Sequence, residues 1–434
     1  MQTILLFLIG VLLLVWPMPH SIAIRNIDIG LLFLISSVFY IKNKNQINFD
    51  KQIKIIGILS ISFIIWAIFI SSVSEYRDYC FSELKQFIMP ILLIFISYFL
   101  INSKIDKNKI FITIFSMLFI FVLYHSLYSF HYFLIYHHLP FRSFGITVGL
   151  DELNFMMPYL LAFFTVEIIF RISKMKSLLP ISNSFLGILF FITIFSLIVQ
   201  AKRNGIISII FMVFSISFII YLVNKKKLSK KVILFLMGGF LFVGMMAYIN
   251  YKDDPRWKSF GETFKIVFIN DDMSDLYGKL PKLSNGQRAD QSNYKRLFMI
   301  RESLKMIKNN PLGYGYGRTI YGRILSQEYK KYGVHSRTHS HSGVLDLTIG
   351  TGIIGFILWS AIMFLIMYVG FKAFLNYRSY YGLLAFFLTT SFYFRMFLDS
   401  INKDHMLQQF VFFVSLALFM MQRDLNAKNN IPSS

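Results

Sequence analysis

The sequence predicts an all-α protein that crosses a membrane many times. Of its 434 residues, 56% are hydrophobic and 15% are charged, and the mean hydropathy is +0.58. A water-soluble chain of this length needs more polar surface than these fractions supply. Apolar runs of the length of a membrane-spanning helix recur along the chain, interrupted by one polar stretch at 250–342. We therefore expect a polytopic helical membrane protein with one large loop domain.

About twelve apolar runs are long enough, or nearly so, to cross a bilayer. They lie at about 3–18, 26–41, 54–72, 86–102, 109–133, 153–170, 183–201, 204–223, 232–250, 343–371, 380–398 and 405–421. These runs divide the chain into spans one to nine at 1–249, a loop domain at 250–342, spans ten to twelve at 343–421 and a tail at 422–434. The first run has no positive charge before it and no small-x-small site after it, which favours a helix over a cleaved signal peptide.

Lysine and arginine concentrate in alternate short loops. One set of loops holds clusters such as those at 42–54 and 225–231, whereas the other set holds few basic residues. Basic loops face the cytoplasm, so both termini are predicted to be cytoplasmic and residues 250–342 to face outward. The formal net charge of +22 follows this loop pattern, and it therefore gives no indication of nucleic-acid binding.

Three basic residues break this alternation on the outer side: Arg142, Lys202 and Arg203. Snorkelling to lipid phosphates accounts for any one of them alone. The guanidinium group of arginine is also a planar fork that grips phosphate oxygens in pairs, which lysine cannot do. Arginines kept on the outer face therefore suggest an anion bound there.

The loop domain carries more Lys and Arg than Asp and Glu, which favours an acidic or phosphorylated partner. Residues 292–309 have the pattern of a helix, with Ser292 or Asn293 as its cap. At 3.6 residues per turn, Arg296 and Arg301 point about 140° apart, so the two cannot both reach one ligand. One face is expected to hold Tyr294, Leu297, Phe298, Arg301 and Leu304, and the other Arg296, Ile300, Ser303 and Ile307. The glycine-rich run at 313–318 has no following GK[ST], so we interpret it as a turn-rich connector.

Three histidines, His335, His339 and His341, close the loop domain, and Asp346 follows them. A zinc site would need a further ligand, and the single cysteine, Cys80, cannot form a cysteine cluster. Solvated loop histidines without a role are a second interpretation. In the third, which we favour, a neutral imidazole takes a proton from an attacking hydroxyl while arginines hold a departing diphosphate.

A spaced pattern of one histidine and two glycines begins at His341. It reads His341-Ser342, nine residues, and then Gly352-Ile-Ile-Gly355. In this pattern the chain resembles the bacterial O-antigen ligase family, within the larger group that includes O-antigen polymerases and protein oligosaccharyltransferases. Further segments that match are Arg142 to Gly145, Arg203 at the outer start of a span, Tyr294 to Leu297, and Asn310 to Gly313.

The resemblance implies a membrane glycosyltransferase (GT-C-like) fold and an active site on the periplasmic side of the bacterial inner membrane. It implies that Arg142, Arg203 and Arg296 bind the diphosphate of a glycan linked to undecaprenyl diphosphate. It further implies that His341 activates a sugar hydroxyl of lipid A–core oligosaccharide, with His339 as a helper. Transfer with inversion would need no metal and no cofactor.

Three alternatives remain. An O-antigen polymerase would use the same donor with a lipid-linked acceptor, and a protein O-oligosaccharyltransferase would use it with a protein acceptor. A transporter of lipid-linked glycan belongs to another class, and it would be expected to place charges in the middle of its helices along a pathway. Few charges fall in the middle of the predicted spans.

Overall fold

The computed structural model is entirely helical in the part of the chain that it describes, apart from turns and one isolated β-bridge. It describes residues 1–18, 20–42, 48–140, 150–200, 203–223, 259–269, 280–330, 335–402 and 404–429, with scattered positions between 237 and 248. At 150–152, 203–211 and 428–429 the description covers the backbone alone.

The helices follow the apolar runs. They are α1 (Gln2–Val15), α2 (Ile22–Lys42), α3 (Lys51–Ser72), α4 (Arg77–Leu84), α5 (Ile88–Ile101), α6 (Lys107–Tyr136), α7 (Leu150–Ile172), α8 (Asn183–Gln200), α9 (Arg203–Val223), α10 (Phe260–Ile269), α11 (Gln291–Asn309), α12 (Ile320–Glu328), α13 (Gly343–Tyr377), α14 (Tyr380–Arg395) and α15 (Asp404–Asn429). A short 3-10 helix, Lys85–Phe87, joins α4 to α5.

Eight helices among the described residues are long and apolar enough to cross a membrane, and two shorter apolar helices accompany them. The protein is therefore a multi-pass membrane protein. Each of the other eleven predicted spans contains a helix, and the ninth, at 232–250, lies largely outside the described residues.

Hydrogen bonds between helix ends show which ends lie together. The start of α13 donates to the end of α14, through Gly343 N–H to the Asp399 carbonyl at 3.1 Å. The end of α14 donates to the start of α7, through Arg395 to the Asn154 carbonyl. We name this the histidine end of the bundle. The opposite end, where α13 finishes and α14 begins, is the lysine end.

The same reasoning places the first residue of α9. Arg171, at the end of α7, donates to the Asn183 side chain at the start of α8, at 2.8 Å. Because Arg171 belongs to the lysine end, α8 starts there and finishes, at Gln200, at the histidine end. Helix α9 begins three positions later, so the backbone of Arg203 lies at the histidine end.

Helices α10, α11 and α12 lie in the stretch that the sequence assigns to the loop, and they share a hydrophobic cluster of their own. Its members include Leu297 and Phe298 of α11, Leu325 of α12 and Ile349 of α13. Helix α11 starts one residue earlier than predicted, because the side chain of Asp290, not of Ser292 or Asn293, caps it by accepting from Asn293 N–H at 2.8 Å.

The two faces of α11 differ from the prediction at two positions. Leu304 is 50% exposed, although the helical periodicity predicted it on the face with Leu297 and Phe298. Ser303 is fully buried, although the periodicity predicted it on the opposite face. Helix α11 packs on both α10 and α13, so the buried sector is displaced towards Ser303 and Met306. The separation of Arg296 from Arg301 is as expected, since Arg301 is buried and Arg296 is exposed.

Helix α13 is interrupted at Gly352, whose φ of 68° and ψ of −175° are accessible almost only to glycine. The interruption leaves main-chain groups without helical partners, and the glycine-rich connector supplies them. Tyr314 N–H donates to the Ile349 carbonyl at 2.9 Å, and Gly315 N–H donates to the Gly350 carbonyl at 2.8 Å. Ile353 N–H donates in turn to the Pro311 carbonyl at 2.9 Å. Residues 311–315, which include the start of the glycine-rich connector, therefore form part of the hydrogen bonding of α13.

Candidate active site

The candidate site begins with the turn at residues 339–342, which leads into α13 and which we name the histidine turn. Ser342 caps the helix, since its hydroxyl accepts from Leu345 N–H and donates to the Met396 carbonyl of α14 at 3.2 Å. The residue before it, His341, has a φ of 57°, in the left-handed region that side-chain-bearing residues seldom occupy. The His341 side chain is exposed.

A buried carboxylate holds this turn in place. Asp346, in the first turn of α13, accepts from Ser340 N–H at 2.9 Å and from the Ser400 hydroxyl. The hydroxyl of Ser340 donates to the Ser342 carbonyl at 2.9 Å. Asp346 was one of the residues considered for a zinc site, and here it acts as a hydrogen-bond acceptor that joins the histidine turn to the segment between α14 and α15.

The ring of His339 lies against the turn as well. Its Nδ1 atom accepts from His341 N–H at 3.2 Å, and the two imidazole rings lie 4.3 Å apart between centroids. A ring that accepts at Nδ1 carries no proton there, so this contact favours the tautomer protonated at Nε2. His339 therefore supports the backbone of His341.

The three predicted phosphate-binding arginines are described to different degrees. Arg142 lies outside the described residues, and only the backbone of Arg203 is described, at the histidine end. Arg296 is exposed on α11, and its side chain is on the surface of the loop helices. The neighbouring Arg301 has a structural contact, since it bonds to Glu302 at 2.9 Å and to the Val267 carbonyl of α10 at 2.7 Å.

Arg318, at the end of the glycine-rich connector, joins three parts of the chain. Its guanidinium bonds to both carboxylate oxygens of Glu83 in α4, at 2.7 and 3.1 Å. It also bonds to both oxygens of Asp404 in α15, at 2.8 and 2.6 Å. The hydrogen bond with Glu83 raises the pKa of Arg318 above its ordinary value, so the group stays charged. We name these three residues the Arg318 bridge.

A narrow cleft separates the Arg318 bridge from the histidine turn. Its lining residues are Tyr316, Gly317, Arg318, Asp346, Leu347, Gly350, Ser400 and Asn402. Residues that support the histidine turn and Arg318 of the bridge therefore line the same cleft. The cleft has space for about one water molecule, so it is a gap between these supports and is too small for a sugar.

Sequence reasoning did not identify Glu83, Ser400 or Asp404 as parts of this region. Glu83 and Asp404 are acidic residues at the ends of apolar runs, and ionisable residues at such positions are functional candidates. Their position next to an apolar run would have been enough to mark Glu83 and Asp404 as candidates. The same criterion would also have marked Arg25 and Asp28, which are buried in α2.

Among the residues that the structure describes, no three His, Cys, Asp or Glu side chains are grouped so that they could hold a metal ion. The exposed imidazole of His341 is a group that can accept and release a proton.

Comparison with known proteins finds one family that matches part of the chain. Residues 188–360 match the family model described as O-antigen ligase, a stretch that runs from α8 into α13. It contains Arg203, Arg296, His339 and His341, whereas Arg142 precedes it. A comparison with curated proteins finds no match. Over residues 188–360, the chain is thus similar to the O-antigen ligase family.

Proposed function

We propose that the protein transfers a glycan from undecaprenyl diphosphate to a sugar hydroxyl of lipid A–core oligosaccharide. It would thus act as an O-antigen ligase in lipopolysaccharide biosynthesis. The observation that carries the proposal is the histidine turn, in which Asp346 and His339 hold an exposed imidazole at one end of a helical membrane bundle. This turn lies within the segment that matches the family.

The reaction needs one proton acceptor and one site for negative charge. An imidazole nitrogen of His341 takes the proton of the acceptor hydroxyl as its oxygen attacks the anomeric carbon of the donor sugar. The bond between that carbon and the diphosphate oxygen breaks, and its electron pair leaves with undecaprenyl diphosphate. Attack from the face opposite the leaving group inverts the anomeric centre. The proton on His341 then passes to water, which restores the base.

Guanidinium groups are suited to the leaving group. Two negative phosphates develop further charge as the glycosidic bond breaks, and paired N–H donors stabilise that charge without a metal ion. We assign this role to Arg142, Arg203 and Arg296. In support, the backbone of Arg203 lies at the histidine end and the side chain of Arg296 is exposed.

The proposed function includes an orientation of the protein in the membrane and a fold. The lysine-rich loops are assigned to the cytoplasm, which puts both termini there and the histidine end, with the loop at 250–342, in the periplasm of the bacterial inner membrane. The chain would cross this membrane about twelve times, as spans one to nine, the loop domain and spans ten to twelve, in a GT-C-like fold. Membrane lipids surround the helices that carry the many exposed apolar side chains.

The test uses purified full-length protein, an undecaprenyl-diphosphate-linked glycan and lipid A–core as acceptor. The informative variant is His341→Asn, because asparagine tolerates the left-handed conformation and lacks a base. General base catalysis contributes about 100-fold to 10,000-fold, so we expect a loss of initial rate in that range. His335→Asn, at an exposed histidine of the same loop, is the matched control and should keep the wild-type rate.

A second acceptor separates ligase from polymerase. A further lipid-linked repeat offered in place of lipid A–core should give no product with the wild-type protein. Elongation of that repeat would instead identify a polymerase, and a rate of His341→Asn equal to that of the wild type would remove the base assignment. Glycan transfer to neither acceptor, but to a protein, would identify a protein oligosaccharyltransferase.

A further inference from the structure

A second cavity lies far from the histidine turn, at the lysine end of the bundle. Its volume is about 470 Å³, within the range of small-ligand sites. The end of α13, the start of α14, the end of α15 and the loop after α7 surround it. Because α13 runs from the histidine turn to this cavity over 35 residues, the two sites lie at opposite ends of one long helix.

A buried ion pair fixes one wall of the cavity. Glu167 of α7 is fully buried and accepts from Leu178 N–H at 2.8 Å and from Leu179 N–H at 3.0 Å. It also accepts from the Tyr380 hydroxyl at the start of α14, at 3.0 Å. Its partner Arg171, at 3.1 Å, donates to the Leu179 carbonyl at 2.8 Å. The loop after α7 is therefore held rigidly at the cavity edge.

Two helix ends present cations to the cavity. Helix α7 ends at Ile172, and Lys174, just after it, has the left-handed conformation. Lys176 follows this turn and lines the cavity. Helix α13 closes in the same way with Arg378, which also lines it. Carbonyl groups at helix C-termini favour cations nearby, which accounts for basic residues at both positions. That preference does not account for a cavity between them.

One carboxylate completes the charged lining. Asp424, in the last turns of α15, lies beside the cavity together with Tyr381. The charged side chains of the lining are thus two cations and one anion, on different elements. A simple anion would match the cations and be repelled by Asp424. A ligand that carries both a phosphate and an ammonium group would match all three.

We propose that this cavity binds the headgroup of an aminophospholipid of the phosphatidylethanolamine class. Lys176 and Arg378 receive the phosphate, and Asp424 receives the primary ammonium group. Tyrosines at the same level, Tyr377 and Tyr381, are typical of the interface between membrane and water, where such headgroups lie. Basic pockets between membrane helices are known sites for lipid headgroups.

The test measures binding of three phospholipids with identical acyl chains to the detergent-purified full-length protein, by native mass spectrometry. These carry ethanolamine, glycerol or choline headgroups. We expect the wild type to retain phosphatidylethanolamine about tenfold better than the other two, since neither glycerol nor choline offers a charged N–H donor. The double variant Lys176→Gln with Arg378→Gln should weaken binding of all three lipids.

Asp424→Asn gives the decisive result. Loss of the carboxylate should lower retention of phosphatidylethanolamine and raise retention of phosphatidylglycerol, a reversal that a misfolded protein would not produce. Lys372→Gln and Asp50→Asn, exposed positions at the same end of the bundle, should leave the preference unchanged. An unchanged preference in Asp424→Asn, or undiminished binding in the double variant, would overturn the proposal. Soluble phosphoethanolamine that binds as tightly as the lipid would show that the headgroup alone is the ligand.

Discussion

At the scale of single residues, the candidate site depends on how one histidine is held. His341 adopts a left-handed conformation, and this conformation persists because the turn around it is over-determined by hydrogen bonds. The residue type could be predicted from the sequence, since a histidine at the edge of an apolar run is costly and conspicuous. The conformation could not, because it depends on Ser400 and Met396, which are more than 50 positions away.

Asp346 should matter for the rate more than for donor binding. Asp346→Asn removes the charge that holds Ser340 N–H and the Ser400 hydroxyl, so the His341 side chain loses its fixed position. Hydrogen bonds to a charged group contribute about 1.5–3 kcal/mol, which corresponds to a fall in kcat of about tenfold to a hundredfold. Initial rates at varied donor concentration should show this fall with little change in KM for the donor.

Ser400→Ala is the graded comparison for this prediction, because it removes the hydroxyl that Asp346 accepts from and leaves the bond from Ser340 N–H. Its loss of kcat should be smaller than that of Asp346→Asn. A rise in KM with unchanged kcat in Asp346→Asn would mean that this carboxylate acts in binding, not in positioning the base.

At the scale of elements, hydropathy predicted helices correctly wherever an apolar run is followed by charged or turn-forming residues, as at Lys42 and Ser72. Finer features depended on tertiary contacts. Asp290, Ser292 and Asn293 are all good capping residues, and the local sequence does not rank them. The break at Gly352 lies inside an apolar run that reads as one continuous helix, and the partners that stabilise it come from 311–315.

Gly352→Ala should destabilise the protein strongly. A Cβ atom there would overlap the Leu312 and Pro311 carbonyl oxygens, in a backbone conformation that alanine does not adopt. Strain and overlap each cost about 1–3 kcal/mol, so we expect the Tm in detergent to fall by about 5 °C or more. Thermal unfolding followed by intrinsic fluorescence measures this.

Gly57 provides the matched control for this substitution. It lies inside α3 with no heavy atom within 4 Å of an added Cβ, so Gly57→Ala should leave the Tm unchanged or raise it slightly. Equal Tm values for the two variants would show that the connector at 311–315 does not pack on α13 as described.

At the scale of the whole molecule, the Arg318 bridge connects the loop helices to the bundle. Its partners Glu83 and Asp404 lie 235 and 86 positions from Arg318 along the chain. Sequence reasoning treated this arginine only as part of a connector, since no local pattern reveals contacts of that separation. The overall class, by contrast, follows from composition alone, because it depends on total apolar content and not on any specific pair.

The orientation in the membrane can be tested with introduced cysteines. The single native thiol, Cys80, is fully buried, so the wild type should not react with a membrane-impermeant maleimide. In cells with a permeabilised outer membrane, Arg337→Cys should be labelled before lysis, because we assign its loop to the periplasm. Lys51→Cys and Lys372→Cys, at exposed sites of the lysine end, should be labelled only after lysis. The reverse pattern would invert the proposed topology.

The interruption at Gly352 also divides α13 into two pieces of different length. It separates the first nine residues of α13, 343–351, from a remainder at 353–377 that is by itself long enough to traverse the hydrocarbon layer. At 1.5 Å per residue, the first piece is about 14 Å long. The polar layer of a membrane leaflet is only about 5–8 Å deep. In the proposed reaction, a first piece that stands along the bilayer normal would hold the imidazole beside the first sugar of the donor, beyond the level of its phosphates.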